Sequence, residues 1–211
     1  MNIEQSFDAV ILANGEFPTH SCPLSLLRDA PFLCCCDGAA LTAVSHGLKP
    51  DAVVGDGDSL PADMKEKLGD IFHHVSEQED NDLTKATRFC LSKGFGRIAY
   101  VGASGKREDH AIANIFLMER YARVFHMAPL LFTDTGIFSV VHSGDNMFHS
   151  FPRQQVSIFN VSCSRIRSNG LRWSSYPYTE LWQGTLNESL GKMFSLHTDG
   201  TCLVFQTYNA K

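Results

Sequence analysis

Two aspartates separated by one glycine, Asp56 and Asp58, directly follow an apolar run that ends at Val54. Side chains two residues apart on an extended chain project to the same side, and two carboxylates that close repel each other unless a cation lies between them. Mg²⁺ prefers oxygen ligands and usually binds substrate phosphates as well. The pair therefore predicts a metal-dependent site for phosphorylated molecules, although Asp and Gly are also common in ordinary solvated turns.

A second polar segment, Gln78–Lys85, combines acidic residues with a threonine and a lysine. This composition is typical of a helix N-terminus, where Asp or Asn caps the helix and acidic side chains lie near the positive end of its dipole. Asp82 can both cap the helix and serve as a third metal ligand beside the aspartate pair. Thr84 and Lys85 would then lie near phosphate, which exposed helix N–H groups also help to bind.

A glycine-rich segment, Gly102–His110, follows another apolar run. Its glycines allow the backbone to approach an anion closely, and Lys106 and Arg107 supply positive charge, since Arg can grip phosphate through two parallel hydrogen bonds. The spacing matches neither the Walker A sequence nor the G-x-G-x-x-G dinucleotide fingerprint. Asp109 and His110 are interpreted either as a helix cap beside a surface histidine or as groups that face a substrate.

The elements between these segments must position them. In the first 130 or so residues, strand-like runs alternate with helical segments, which predicts a parallel sheet with right-handed crossovers. Ligands of such sheets bind at the carboxyl ends of the strands, where the polar turns fall. The predicted strands are Phe7–Ala13, Phe32–Cys36, Ala52–Val54, Ile71–Val75, Arg97–Val101 and Pro129–Phe132. The predicted helices are Ala39–His46, Pro61–Leu68, Leu83–Ser92 and Asp109–Arg123.

Beyond about Thr135 the pattern changes to short apolar runs separated by Gly, Ser, Asn and Pro, with no visible helical pattern. Such runs predict a small antiparallel β domain, either a sandwich or a barrel. The runs are Gln155–Asn160, Leu171–Trp173, Met193–His197 and Cys202–Thr207. We therefore predict a Rossmann-like α/β domain with a parallel sheet at residues 1–136, followed by an antiparallel β-sandwich domain at residues 137–211.

The composition excludes several classes of protein. The formal net charge of -5 argues against a nucleic-acid partner, because no basic run offsets the repulsion by phosphates. No apolar stretch approaches the roughly 20 residues that span a bilayer, and the N-terminus lacks the pattern of a signal peptide. The seven cysteines form no C-x-x-C pair, and the consecutive Cys34–Cys36 are expected to be buried and reduced. We therefore expect a cytoplasmic protein without a membrane partner.

Taken in order, these motifs resemble the signature of the thiamine pyrophosphokinase family. That signature is an Asp-Gly-Gly/Ala turn, a Gly-Asp-x-Asp-Ser turn, a Gln-x-x-x-Asp-x-Thr-Lys segment and a Gly-x-x-Gly-x-Arg-x-Asp-His turn. The matching segments here are Asp37–Ala39, Gly55–Ser59, Gln78–Lys85 and Gly102–His110, with later likenesses at Asn169–Trp173 and Gly184–Glu188. Three positions depart from the pattern: Gly57 replaces a common Phe, Lys106 a common second Gly, and Leu186 a Ser.

The resemblance implies transfer of the pyrophosphoryl group of ATP to the hydroxyl of thiamine, which gives thiamine diphosphate and AMP. Charge on the transferring group must be neutralised by metal and cations. The implied catalytic residues are Asp56, Asp58, Asp82 and Asp109, the first three as ligands of Mg²⁺. The implied ATP-binding residues are Asp37, Gln78, Thr84, Lys85, Gly102, Ser104, Gly105 and Arg107. The implied thiamine-binding residues are Asp109, His110 and Asn187.

The resemblance also implies a homodimer, with each active site between the α/β domain of one subunit and the β domain of its partner. Two other functions fit parts of the sequence. A metal-dependent phosphatase of the aspartyl-phosphate type also carries Asp-x-Asp after a hydrophobic strand, and Asp56 would be its nucleophile, but no matching downstream acidic pair is visible. A nucleotide- or thiamine-sensing module would bind these ligands without turnover.

Overall fold

The structure, a computed structural model, describes residues 6–211, which fall into two compact units. The α/β unit comprises residues 6–117 and 127–134, and the β unit comprises residues 118–126 and 135–211. Each unit has its own strands and its own buried side chains. Among the described residues, no helix combines the length and the apolar character needed to cross a membrane.

The α/β unit contains six strands whose neighbours all pair in parallel, as the alternation of strands and helices predicts. They are β1 (Ala9–Leu12), β2 (Leu33–Cys36), β3 (Ala52–Gly55), β4 (Phe72–His74), β5 (Ile98–Val101) and β6 (Leu130–Phe132). Their spatial order is β6-β5-β1-β2-β3-β4, so the order reverses between β1 and β5. Every residue of β1, β2, β3 and β5 is buried, including the three consecutive cysteines.

Five helices accompany these strands. They are α1 (Ser21–Arg28), α2 (Ala39–Ser45), α3 (Ala62–Leu68), α4 (Asp82–Ser92) and α5 (Glu108–Phe125), with a 3-10 turn at Gly69–Ile71. The residues of α5 from Met118 onward belong to the β unit. The predicted strands and helices of the α/β unit are present, with ends that differ by at most two residues. The helix α1 was not predicted from the sequence, and it contains a proline. Pro23 is the third residue of α1, where a backbone N–H has no partner within the helix in any case.

The β unit contains seven strands in two antiparallel sheets. They are β7 (Gly136–Val141), β8 (Gly144–His149), β9 (Gln154–Asn160), β10 (Ile166–Asn169), β11 (Asn187–Glu188), β12 (Met193–Thr198) and β13 (Cys202–Ala210). Within this unit the spatial orders are β11-β9-β13-β7 and β10-β12-β8. Val156 and Val204 of the first sheet share one apolar core with Phe194 and Leu196 of the second. Two sheets around one core form a sandwich, which confirms the predicted fold class.

The run Leu171–Trp173, which we predicted as a strand, is not one. It makes a single isolated antiparallel bridge, between Leu171 and Ser189. The chain turns just before it at Gly170, whose φ is +80° and where a Cβ would come within 2.8 Å of a backbone oxygen of Met193. The backbone of Trp173 then bonds to a side chain instead of to a neighbouring strand.

Candidate active site

A cavity of about 580 Å³ opens at the carboxyl ends of the central strands of the α/β unit. It lies where the strand order reverses, the usual position of ligands in open parallel sheets. Its walls come from the turns after β1, β3 and β5 and from the first turns of α4 and α5. The predicted site residues in these walls are Asp56, Gln78, Asp82, Lys85, Gly105, Arg107 and His110.

The turns after β1 and β5 are held together by their backbones. The N–H of Gly15 donates to the carbonyl oxygen of Gly102 at 2.7 Å, and that of Glu16 donates to Ser104 at 2.9 Å. A Cβ at Gly15 would lie only 2.3 Å from the Gly102 oxygen, so a larger residue would push the turns apart. This close approach forms one edge of the cavity.

Asp56 projects into the cavity from the end of β3. Its Oδ1 accepts the backbone N–H of Asp58 at 3.0 Å, and its Oδ2 accepts Nε2 of Gln78 at 3.2 Å. These bonds stabilise the carboxylate and lower the pKa of Asp56 below its usual value, with Lys85 adding a smaller electrostatic contribution. Asp58 itself is exposed and is not part of the cavity wall.

Lys85 lies between two carboxylates. Its Nζ is 3.2 Å from Oδ1 of Asp82 and 4.0 Å from Oδ2 of Asp56, and its side chain is only 2% exposed. Burial raises the pKa of Asp82, and repulsion by Asp56 and Asp37 adds to this effect, although the Lys85 ammonium opposes it. The carboxylates of Asp56 and Asp82 therefore attract a cation, and the ammonium of Lys85 neutralises part of their charge.

The donor set suits Mg²⁺, which prefers carboxylate oxygens. A buried oxygen, Oδ1 of Asp37, has no hydrogen-bond partner, while Oδ2 of the same side chain accepts the N–H of Ser59 at 3.0 Å. Across residues 6–211, however, no three His, Cys, Asp or Glu side chains converge in the manner of a metal site. The metal site of Asp56, Asp58 and Asp82 therefore stays a prediction.

Asn81, and not Asp82, caps α4. Its Oδ1 accepts the backbone N–H of Thr84 at 3.0 Å and the Thr84 hydroxyl at 2.9 Å, and its backbone is extended, as an N-cap requires. The suggestion that Asp82 doubles as the cap is therefore wrong, and its carboxylate is left for other contacts. Thr84 is fully buried beneath the cap and lies outside the cavity wall, so the structure does not bring it to the predicted ATP site.

Asn114 is a cavity residue that the sequence reasoning missed. Its Nδ2 donates to the carbonyl oxygen of Ala103 at 2.9 Å, and its Oδ1 accepts Nδ2 of Asn81 at 3.2 Å. It thus links the turn after β5 to the start of α4. Asn114 lies four residues after His110 on α5, and residues at that spacing share one face of a helix. The four-residue spacing from His110 could therefore have identified Asn114 from the sequence.

Arg107 and Asp109 form an exposed ion pair at the start of α5. Nε and one terminal nitrogen of Arg107 lie 3.1 Å and 2.5 Å from the two carboxylate oxygens of Asp109. This pairing is the main reason why the pKa of Asp109 falls to about 2. While Arg107 is paired with it, Asp109 is a weak base at neutral pH and is better suited to orient a hydroxyl than to remove its proton.

The remaining predicted site residues lie near the cavity or in the other unit. Gly102 and Ser104 line a smaller cavity of about 70 Å³ in the α/β unit, and Gly105 lines both cavities. Asn187 lies in the β unit, where it is 5% exposed. Its Oδ1 accepts the N–H of Trp173 at 3.2 Å and its Nδ2 donates to the Trp173 carbonyl at 2.8 Å. Its described contacts therefore hold a loop, and the thiamine contact stays a prediction.

Comparisons with known proteins agree on one family. The family model described as "Thiamin pyrophosphokinase, catalytic domain" matches residues 24–129, and "Thiamin pyrophosphokinase, substrate-binding domain" matches residues 136–205. A curated relative, thiamine pyrophosphokinase 1 of Oryza sativa subsp. japonica, is 29% identical over 145 residues. That match covers 60% of this chain but only 53% of the rice protein, so the chain spans about half the length of this relative.

Solved structures share the fold. A thiamin pyrophosphokinase family protein of Enterococcus faecalis superposes with a TM-score of 0.78 at 18% identity, covering 95% of this chain and 99% of that one. The thiamin pyrophosphokinase of Candida albicans gives a TM-score of 0.76 at 16% identity, covering 96% and 90%. At these identities the likeness establishes the fold alone. It confirms an α/β architecture followed by an antiparallel β sandwich.

Proposed function

Because the chain belongs to the thiamin pyrophosphokinase family, we propose that it transfers the pyrophosphoryl group of ATP to the hydroxyl of thiamine, giving thiamine diphosphate and AMP. The observation that supports this most is the cavity at the strand ends, where Asp56 and Asp82 flank the buried ammonium of Lys85. Opposed charges beside a buried lysine suit a substrate that brings both phosphates and a metal.

We assign the phosphate end of ATP to the turn after β5. Gly105 lets the backbone approach the phosphates, and Arg107 can exchange its carboxylate partner for a phosphate with the same paired geometry. Release of Arg107 frees Asp109 to accept the hydroxyl of thiamine and orient it for attack. His110, which lines the same cavity, is the second proposed contact of thiamine.

We propose Asp56, Asp58 and Asp82 as the residues that would hold Mg²⁺, with Gln78 and Asp37 beside them. When bound, the metal would neutralise charge on the transferring phosphoryl groups. Gln78 fixes one carboxylate oxygen of Asp56, and Lys85 keeps the carboxylates of Asp56 and Asp82 close together despite their repulsion. The protein thus holds the negative charges ready for a cation.

The β unit is the proposed source of thiamine contacts, and Asn187 tests this role. Asn187→Ala should lower the free energy of unfolding by about 1–3 kcal/mol, because it leaves backbone groups of Trp173 unpaired. It should also raise the KM for thiamine by about 2- to 10-fold, with the KM for ATP unchanged, if the amide or the loop that it holds contacts thiamine. Chemical denaturation and steady-state kinetics measure the two effects separately.

Asn160→Ala provides a matched control. Asn160 lies in the same unit, and its side-chain amide also bonds to backbone groups, those of Cys163 and Tyr178. We expect a similar loss of stability with both KM values unchanged. If Asn187→Ala raised the KM values for thiamine and ATP equally, a thiamine role for this part of the β unit would be wrong.

We further propose that the protein is a homodimer. Large apolar side chains are exposed along one segment of the β unit, as is typical of an interaction surface. They are Trp173, Tyr176, Leu181, Trp182, Leu186 and Leu190. Sedimentation equilibrium should give twice the monomer mass, and a single monomeric species at micromolar concentration would contradict the proposal.

All seven cysteines are free thiols, which supports the proposed location in a reducing compartment such as the cytoplasm.

One assay separates this function from its alternatives. The protein is incubated with ATP, Mg²⁺ and thiamine, and the products are separated by chromatography, with a parallel sample that contains EDTA. We expect AMP and thiamine diphosphate in equal amounts, and neither product with EDTA. ADP with thiamine monophosphate would contradict pyrophosphoryl transfer, release of free phosphate from a phosphoester would favour the phosphatase, and binding without products would favour the sensing module.

A further inference from the structure

The turn between β5 and α5 contains a lysine in a backbone conformation that favours glycine. Lys106 has a φ of +57°, in the left-handed region, and it follows Gly105, whose φ is +75°. A Cβ makes this conformation unfavourable, so it persists only where the surroundings hold the residue in place. The hydrogen bonds of the Lys106 side chain provide such support.

The Lys106 side chain reaches from one strand-end turn to the next. Its Nζ donates to the backbone oxygen of Asn14 at 3.2 Å and to the Asn14 side-chain oxygen at 3.3 Å. Asn14 belongs to the turn after β1, and both residues line the large cavity. The ammonium thus lies where the strand order reverses, beside the wall that we assign to the phosphates of ATP.

Lys106 differs from the other two basic residues of the cavity wall, Lys85 and Arg107, in its charge partners. Lys85 is paired with Asp82, and Arg107 is paired with Asp109. In the part of the chain that the structure describes, the ammonium of Lys106 hydrogen-bonds only to the neutral oxygens of Asn14 and forms no ion pair. An ammonium bonds more strongly to a charged phosphate oxygen than to a neutral carbonyl. Lys106 is therefore the cavity cation that can bind an anion without giving up a carboxylate.

We propose that Lys106 binds the polyphosphate of the nucleotide, an inference that rests on the proposed function. The ammonium would exchange the oxygens of Asn14 for non-bridging oxygens of the β- or γ-phosphate, which AMP lacks, and this exchange breaks no ion pair. The thiamine pyrophosphokinase pattern commonly has glycine at this position, and glycine could not make this contact. Its unfavourable backbone conformation is then the cost of placing a cation at this point.

Three substitutions separate the charge from the backbone. Lys106→Met keeps the aliphatic stem and removes the charge. Lys106→Gly also removes the unfavourable backbone conformation and should fold readily, and Lys106→Arg keeps the charge.

Binding is measured by calorimetry with AMP and with α,β-methylene-ATP, in which a methylene group replaces the oxygen of the bond that the reaction breaks. The Met and Gly variants should raise the Kd for the ATP analogue about 10- to 100-fold. Their Kd for AMP should be unchanged, and Lys106→Arg should retain most of the affinity.

Lys49→Met is the matched control, because it changes the net charge equally at an exposed position outside the cavity. It should bind both ligands as the wild type does. Unchanged binding of the ATP analogue by Lys106→Met and Lys106→Gly would overturn only this inference. Equal weakening for AMP and the analogue would also overturn it, because it would show general damage to the cavity. If the wild type bound neither nucleotide, the proposed function would fail first and this inference with it.

Discussion

Replacing Asp82 with Asn should lower kcat/KM for ATP by about 100- to 1,000-fold, equivalent to about 2.7–4 kcal/mol of transition-state stabilisation. The amide keeps the shape of the side chain but removes the negative charge of the carboxylate that we propose as a ligand of Mg²⁺. Asp82 lies at the start of α4, 3.2 Å from the buried ammonium of Lys85. The concentration of Mg²⁺ that gives half-maximal activity should rise together with the loss of rate, and steady-state kinetics at several Mg²⁺ concentrations measure both.

The structure also predicts that Asp82→Asn leaves the fold intact. Asn81 caps α4, so the substitution removes no capping bond, and an Asn at position 82 can still accept from Lys85. The control is Asp63→Asn, at an exposed position in α3 that forms only a surface pair with Lys67. We expect normal kinetics from this control. Near-normal rates of Asp82→Asn at saturating Mg²⁺ would exclude Asp82 from the metal site.

Leu196→Ala should lower the free energy of unfolding by about 2–5 kcal/mol. Leu196 is fully buried in β12, the central strand of the three-stranded sheet, and it lies in the core shared with the second sheet. Truncation would remove apolar contacts and leave a cavity that the sandwich can fill only in part, because β12 is hydrogen-bonded on both sides. Urea denaturation followed by fluorescence measures the change.

Met147→Ala truncates an apolar side chain that is 63% exposed on β8, the strand next to β12, and lies outside the proposed dimer surface. It should alter the free energy of unfolding by no more than about 0.5 kcal/mol, as surface substitutions usually do. The difference between the two variants tests the packing of the sandwich, because both truncate a large apolar side chain in the same sheet and only Leu196 is buried. Equal losses for both variants would contradict the burial of Leu196.

The backbone of the α/β unit could be predicted closely, because strands that are buried on both faces are continuous apolar runs. The convergence of Asp56, Gln78 and Asp82 followed from the rule that ligands bind at the carboxyl ends of parallel strands. The capping residue could not be chosen in this way, since Asn81 and Asp82 are both good caps, and only the local backbone angles decide between them.

Side-chain partners were the least predictable part of the site. Lys85 was predicted to hold phosphate, but its buried position between Asp56 and Asp82 depends on how α4 packs beside β3. Strands of the β unit such as β8, with Asp145, Asn146 and His149, carry too many polar residues to be recognised. Strand preference depends on cross-strand neighbours, which a single sequence does not reveal. The bonds of Asn187 to the backbone of Trp173 escaped prediction for the same reason.

The transfer of an intact pyrophosphoryl group is tested most directly by following one labelled phosphorus atom. The wild-type protein is incubated with [β-³²P]ATP, Mg²⁺ and thiamine, and the labelled products are separated. We predict that the label passes to thiamine diphosphate and that the nucleotide product, AMP, is unlabelled. Label retained in ADP, or recovered as free phosphate or pyrophosphate in place of thiamine diphosphate, would contradict the proposed function.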